Sequence, residues 1–376
     1  MNSDKPSSDS GLTPEISALV SQWIRPEVRA ITAYHVPDPG QLVKLDAMEN
    51  PYAWPDSLRG EWLAQLSEAA INRYPDPGAR ELKSALRGAL AIADNHGILL
   101  GNGSDELIQM IAMAVARPDR VVLAPEPGFV MYRMIALMVG MRYAGVSLTA
   151  DFDLDTAAML AAIKQHQPAL VFLAYPNNPT GNLFDQDAIA AILQASPGLV
   201  VVDEAYFPFA GSTLIDWLQH YPNLLVMRTV SKMGLAGLRL GYLVGSEHWL
   251  QHIDKMRLPY NINVLTQLSV RMALRHIEAF DAQTRQICTD RELLYQQLCA
   301  IEGAEVFPSR ANFILFRIAG RAAQDIFEQL KTRGILIKNL GNQPGLLKGC
   351  LRVTVGTAQE NSRFLQALRE SIAGNR

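Results

Sequence analysis

The sequence predicts an α/β fold: a large unit with a mostly parallel sheet flanked by helices, followed by a smaller α+β unit. Three observations predict it. Between about Leu99 and Gly245, short apolar runs alternate with stretches of helical period, the order that folds as strand–helix–strand crossovers. Several of these runs are apolar at consecutive positions rather than at every second one, as strands buried on both faces are. After Pro259 the alternation gives way to a long helical region and two more apolar strands.

Taken in order, the opening "MNSDKPSSDSGLTP" is rich in Ser, Asp and Pro and reads as a frayed end without the regions of a signal peptide. Residues 1–44 are expected to pack on the smaller unit. Residues 45–262 form the large one. Its helix "SDELIQMIAMAVARP" carries Ile108, Ile111, Ala112 and Val115 on one stripe and stops at Pro118. The helix "DAIAAILQASPG" stops at Pro197-Gly198 in the same way. The strands are "RVVLAP", "ALVFLAYP", "LVVVDEAY", "LLVMRTVS" and "LRLGYLVG". Residues 263–376 form the smaller unit: a helical region from about Thr266 to Cys299, the strand "ANFILFRI", the helix "AAQDIFEQLKTRG", the strand "CLRVTVGT" and a last helix bearing Phe364, Leu365, Leu368 and Ile372.

The 376 residues suffice for a large domain and a smaller one, each with its own core. A net charge of −3, with acids and bases mixed along the chain, gives no footprint for nucleic acid. Cys288, Cys299 and Cys350 are scattered, without metal or redox spacing, which fits a reduced cytoplasmic protein. No apolar run approaches the ~20 residues of a membrane span.

In open α/β sheets ligands bind beyond the carboxyl ends of the strands, and three strands here run into polar residues. One runs into Asn177-Asn178-Pro179-Thr180-Gly181, one into Asp203-Glu204-Ala205-Tyr206 and one into Ser231-Lys232. Lys232 stands among apolar and small residues. Desolvation lowers a lysine's pKa from ~10.4 toward the range where the neutral, nucleophilic amine exists. Asp203 ends an apolar strand, and a buried carboxylate needs a cationic or hydrogen-bonding partner; a protonated ring nitrogen is one, a turn or cap the other reading. "GNGSDELIQ" puts two glycines and Ser104-Asp105 before a helix, either as a phosphate-binding N-terminus or with Ser104 as an ordinary cap. Arg352, inside an apolar strand, calls for a carboxylate or phosphate or an internal ion pair.

The order GSDE, NNPTG, DEAY, SK…GLAGLRLGY, LRVTVGT resembles the aspartate-aminotransferase superfamily of pyridoxal-phosphate enzymes (fold type I), over nearly the whole chain from about residue 30. "AYHVPDPG", "ENPYAWP", "NRYPDPGARELK" and "GCLRVTVGT" are most similar to its histidinol-phosphate aminotransferase branch. The resemblance implies pyridoxal 5'-phosphate as cofactor, with Lys232 as covalent anchor and proton carrier and Asp203 on the pyridine nitrogen. It implies Tyr206 and Asn178 on the phenolic oxygen, Phe129 stacked on the ring, and Ser104, Asp105, Ser231 and Arg239 around the phosphate. Tyr52 is implied to reach the neighbouring subunit's cofactor, making a homodimer with shared sites. Arg352, Tyr34, Tyr52, Asn178 and Lys338 are implied as substrate-binding. Two positions depart from the family pattern. Lys232 and Arg239 stand one residue closer than in many relatives, and Lys338 falls where some relatives carry a phosphate-binding arginine. The implied reaction exchanges the amino group between L-histidinol phosphate and 2-oxoglutarate. Alternatives are an aromatic amino acid transaminase and a decarboxylase of a phosphorylated amino acid. A cofactor-binding regulator of this fold would need an added DNA-binding domain, for which the N-terminus leaves no room.

Overall fold

A computed structural model describes residues 14–33, 37–343 and 345–373. Its strands are β1 (Val43–Lys44), β2 (Gly97–Gly101), β3 (Val121–Glu126), β4 (Arg142–Ser147), β5 (Leu170–Ala174), β6 (Leu199–Asp203), β7 (Leu224–Thr229), β8 (Gly241–Gly245), β9 (Ala304–Val306), β10 (Phe313–Ile318), β11 (Ile335–Leu336), β12 (Lys338–Asn339) and β13 (Cys350–Thr354). Seven of them make one sheet in the order β2-β8-β7-β6-β5-β3-β4. β8 runs antiparallel to both its neighbours and every other pairing is parallel.

The central strands form where the sequence is continuously apolar. β5, β6 and β7 are buried along their whole length, because helices cover both faces. Ser104–Val115 and Val130–Met138 turn Leu107, Ile108, Tyr132 and Ile135 into one layer, while Thr156–His166 and Gln186–Ala195 turn Met159, Ile163, Ile189 and Ile192 into the other. Burying a side chain such as Leu173 or Val201, each 0% exposed, is worth about 1.5–3 kcal/mol. β5, β6 and β7 are parallel and in register, with Ala174 beside Asp203 and Asp203 beside Met227. Their carboxyl ends therefore open on a single edge.

The second sheet, β12-β13-β10-β9, is antiparallel throughout and packs against Ile277–Cys299, Ala323–Thr332 and Ala358–Ala373 around Phe313, Phe316, Leu330 and Phe364. β1 pairs in parallel with β11. Further toward the N-terminus, Arg25 donates instead to the Met138 carbonyl at the end of a large-sheet helix. The helical region expected from Thr266 to Cys299 is two helices, Val264–Arg275 and Ile277–Cys299, broken at His276, whose φ of −118° and ψ of 36° leave the helical region. Among the described residues no helix is long and apolar enough to cross a membrane, and no group of three or more His, Cys, Asp or Glu could hold a metal ion.

Candidate active site

At the carboxyl edge of β5, β6 and β7 lies a cleft of about 800 Å³, open space at its mouth included. Nine of the residues singled out from sequence line it: Ser104, Asp105, Phe129, Asn178, Asp203, Tyr206, Ser231, Lys232 and Arg239.

Asp203 ends β6 and is buried. Its Oδ1 accepts the Ala205 N–H at 3.1 Å and its Oδ2 the Tyr132 hydroxyl at 2.7 Å. Burial pushes its carboxyl up to about 6, against the lowering by these two donors. Both donors are neutral, so the carboxylate at the cleft floor is held but not neutralised. Tyr132 was not foreseen. Its ring lies flat on Phe172, centroids 4.5 Å apart, so in sequence it reads as a core aromatic. The one available signal is its spacing, three residues beyond Phe129 on the same helical face.

Lys232 follows β7 through a one-turn 3-10 segment, Ser231–Met233. Its Nζ lies 3.5 Å from the Ala47 carbonyl and 5.6 Å from the centre of the Tyr206 ring. Burial, and next the Arg352 guanidinium, bring its pKa down to about 8. The environment that the apolar flanks suggested is therefore present, with a cation contributing from the other sheet.

The turn after β5 is built by Asn177, whose Nδ2 donates to the Pro127 carbonyl at 3.0 Å and to Thr180 Oγ1 at 2.7 Å. That leaves its neighbour Asn178 to face the cleft. Asn178 Nδ2 donates to the Tyr206 hydroxyl at 3.2 Å, and its Oδ1 accepts from Arg352 Nη1. Arg352, buried in β13, also donates through Nη2 to the Asp46 carbonyl at 3.1 Å. The chain Arg352–Asn178–Tyr206 thus ties the small sheet to the cleft.

An anion cradle forms at the other end. The helix Ser104–Val115 is preceded by Gly103 as N-cap, with no side-chain cap bond. Ser104 is therefore the first helical residue rather than the cap, and N–H groups of the first turn remain for a ligand. Gly103 has φ of 87°, and a Cβ there would stand 2.5 Å from Arg239 Nη2. A Cβ on Gly241 would stand 2.6 Å from Ser104 N. Only glycine lets the three segments meet this closely. The Lys232–Arg239 loop brings Arg239 to this cradle through a left-handed turn, φ 48°, with Nη2 3.7 Å from Asp105 Oδ2. Ser231 Oγ accepts from the Thr229 hydroxyl of its own loop at 2.8 Å.

Among the described residues, three that the sequence singled out do not line the cleft. Arg352 stands behind Asn178, and Lys338 lies opposite Arg352 on β12. The Tyr52 hydroxyl donates to Asp290 Oδ2 at 2.9 Å, and burial, then that carboxylate, push its pKa to about 12. Tyr34 lies outside the described residues. Lining residues that sequence reasoning did not name include Ala47, Met48 and Glu49, from the segment after β1, and Thr229 and Ala236.

A half-buried lysine, a floor carboxylate, an aromatic wall and an anion cradle fit a flat heterocycle bearing an aldehyde, a basic ring nitrogen and a phosphate. The comparisons with known proteins agree with this chemistry. The family described as aminotransferase class I and II matches residues 41–368, and the chain belongs to it. It is 56% identical over 350 residues, 93% of its length and 97% of the relative's, to histidinol-phosphate aminotransferase 2 of Nitrosococcus oceani. It is 51% identical to the protein of the same name from Cupriavidus pinatubonensis, over 94% of this chain and 98% of that one. The crystal structure of histidinol-phosphate aminotransferase from Sinorhizobium meliloti, in complex with pyridoxal-5'-phosphate, superposes with a TM-score of 0.83 at 26% identity, covering 93% of this chain and 98% of that one.

Proposed function

We propose that this chain is a pyridoxal-phosphate-dependent aminotransferase that moves the amino group between L-histidinol phosphate and 2-oxoglutarate, a step of histidine biosynthesis. The observation that carries this reading is the convergence of Lys232, Asp203 and the Gly103–Arg239 cradle on one cleft, in a chain about half identical to histidinol-phosphate aminotransferases over nearly its full length.

When bound, the cofactor supplies an electron sink for the charge left on the donor's Cα. The residues do the rest. Lys232 would hold the cofactor through its Nζ, and as a free amine beside the donor that Nζ would take the Cα proton. A pKa near 8 leaves part of the lysine neutral at working pH, and such positioned transfer is worth about 10²–10⁴-fold. Asp203 holds the ring nitrogen protonated, its carboxylate oriented by Tyr132 and Ala205. Asn178 and Tyr206 bind the phenolic oxygen, Phe129 covers the ring, and Ser104, Asp105, Ser231 and Arg239 hold the phosphate.

Arg352 offers a planar fork that suits the carboxylate of glutamate and the phosphate of the other donor alike. Tyr34 and Lys338 contribute to the same anion, Lys338 as a point charge without the fork. Tyr52 serves the partner's cofactor in a cytoplasmic homodimer with shared sites, and residues 45–262 and 263–376 form the large and small domains.

The half-reaction tests this. Histidinol phosphate alone is expected to bleach the visible band of the holoenzyme, and 2-oxoglutarate to restore it. Carbon dioxide release from a phosphorylated amino acid, without any keto acid, would overturn the reading in favour of a decarboxylase.

A further inference from the structure

Directly behind the cleft, and lining none of it, sits a buried ion pair that the chemistry above does not use. Glu204 is 0% exposed and Arg228 3%. Arg228 Nε and Nη2 both lie 2.9 Å from Glu204 Oε2. The remaining capacity of the carboxylate is filled by the Thr213 hydroxyl at 2.9 Å and the Leu214 N–H at 2.6 Å. Arg228 Nη2 also donates to Thr213 Oγ1 at 2.7 Å, and the guanidinium lies 4.1 Å from the centre of the Phe207 ring.

An ion pair is a costly way to fill a sheet that is otherwise apolar, since well-packed hydrophobic residues of similar volume often serve stability as well or better. The location of this pair suggests another use. Glu204 follows Asp203 directly and stands two residues before Tyr206. Arg228 stands on β7 four residues before Lys232. The stretch from Glu204 to Leu214 leaves β6, carries Tyr206, turns at Gly211 with φ of 66° and returns its own backbone N–H to the Glu204 carboxylate. One pair of charges thereby clamps the end of β6, the Tyr206 loop and the strand leading to Lys232.

We infer that Glu204 and Arg228 are a positioning pair that fixes the placement of Asp203 and Tyr206 relative to Lys232 and so sets the protonation of the bound cofactor. This uses the cofactor site and the transaminase reading above, and it goes beyond both. Two variants test it in the holoenzyme: Arg228→Lys, which keeps the charge but loses the fork, and the double variant Glu204→Leu with Arg228→Met, which removes both charges at similar volume. The readouts are the pH midpoint of the visible absorbance, which needs no substrate, and kcat and KM taken separately. Both variants are expected to shift the midpoint by at least half a pH unit and to lower kcat at least tenfold, with KM changed less than threefold. Arg228→Lys alone decides the matter if the double variant does not fold. A wild-type midpoint and kcat in a folded variant would overturn the inference. A wrong substrate assignment would show separately, as a wild-type enzyme that does not turn over histidinol phosphate.

Discussion

Lys232 and Asp203 are both placed where burial disfavours the charged form. The Lys232 amine titrates near 8 in the fold against 10.5 for an unperturbed lysine, chiefly through burial. Between those values the unfolded chain binds more protons, so stability rises with pH. Below about 8 the buried ammonium destabilises the fold by at most roughly 3 kcal/mol. In cofactor-free protein, Lys232→Met is therefore expected to raise stability at pH 7 by up to that amount, with the difference vanishing by about pH 10.5; urea titrations across that range measure it. Asp203 runs the other way. Burial holds it at about 6 while the Tyr132 hydroxyl lowers it, so Tyr132→Phe is expected to raise it further. The acid limb of cofactor binding then moves to higher pH, read by titrating cofactor affinity between pH 5 and 8, and an unmoved limb would deny Tyr132 that role. Asp203 and Lys232 were legible because each stands at or just past the carboxyl end of a largely apolar strand. Tyr132 was not, because a ring stacked on Phe172 looks like core until the position of its hydroxyl is known.

At the scale of elements, apolar runs announced β3, β5, β6, β7 and β8, and helical period announced the helices Ser104–Val115 and Gln186–Ala195. β2 and β4 escaped notice. β4 is an edge strand of sequence RYAGVS with one buried residue, and β2 is five residues beginning and ending in glycine. Periodicity also gives no direction, so the antiparallel course of β8 was not readable. Nor was the break at His276, since both flanking segments keep a helical period. The cradle at the start of the helix Ser104–Val115 shows how an element end makes a site. Gly103 adopts φ 87° and ψ 166°, a region of about 1–3 kcal/mol cost to other residues, and an added methyl would displace Arg239. Gly103→Ala is expected to weaken cofactor binding at least tenfold while leaving the helix content unchanged; fluorescence titration and circular dichroism check the two parts.

Over the whole molecule, the cleft depends on segments far apart in sequence. The stretch after β1 belongs to the small sheet by its bonds: Thr354 N donates to the Leu45 carbonyl at 2.9 Å, and Asn312 Nδ2 to the Met48 carbonyl at 3.0 Å. Yet Ala47, Met48 and Glu49 form a wall of the cleft, with Met48 strained at φ 53°. Arg352 reaches the same cleft from β13 through Asn178. Such long-range assembly leaves no mark in local pattern, which is why the polar strand ends could be read and this wall could not. With both sheets contributing, one cleft is expected to handle both a carboxylate and a phosphate. The most direct test of this is steady-state kcat/KM for L-histidinol phosphate, phenylalanine and tyrosine as donors, with 2-oxoglutarate as acceptor. Histidinol phosphate is expected to lead both amino acids by at least about tenfold, the equivalent of roughly 1.4 kcal/mol in the transition state. A preference for phenylalanine or tyrosine would contradict it.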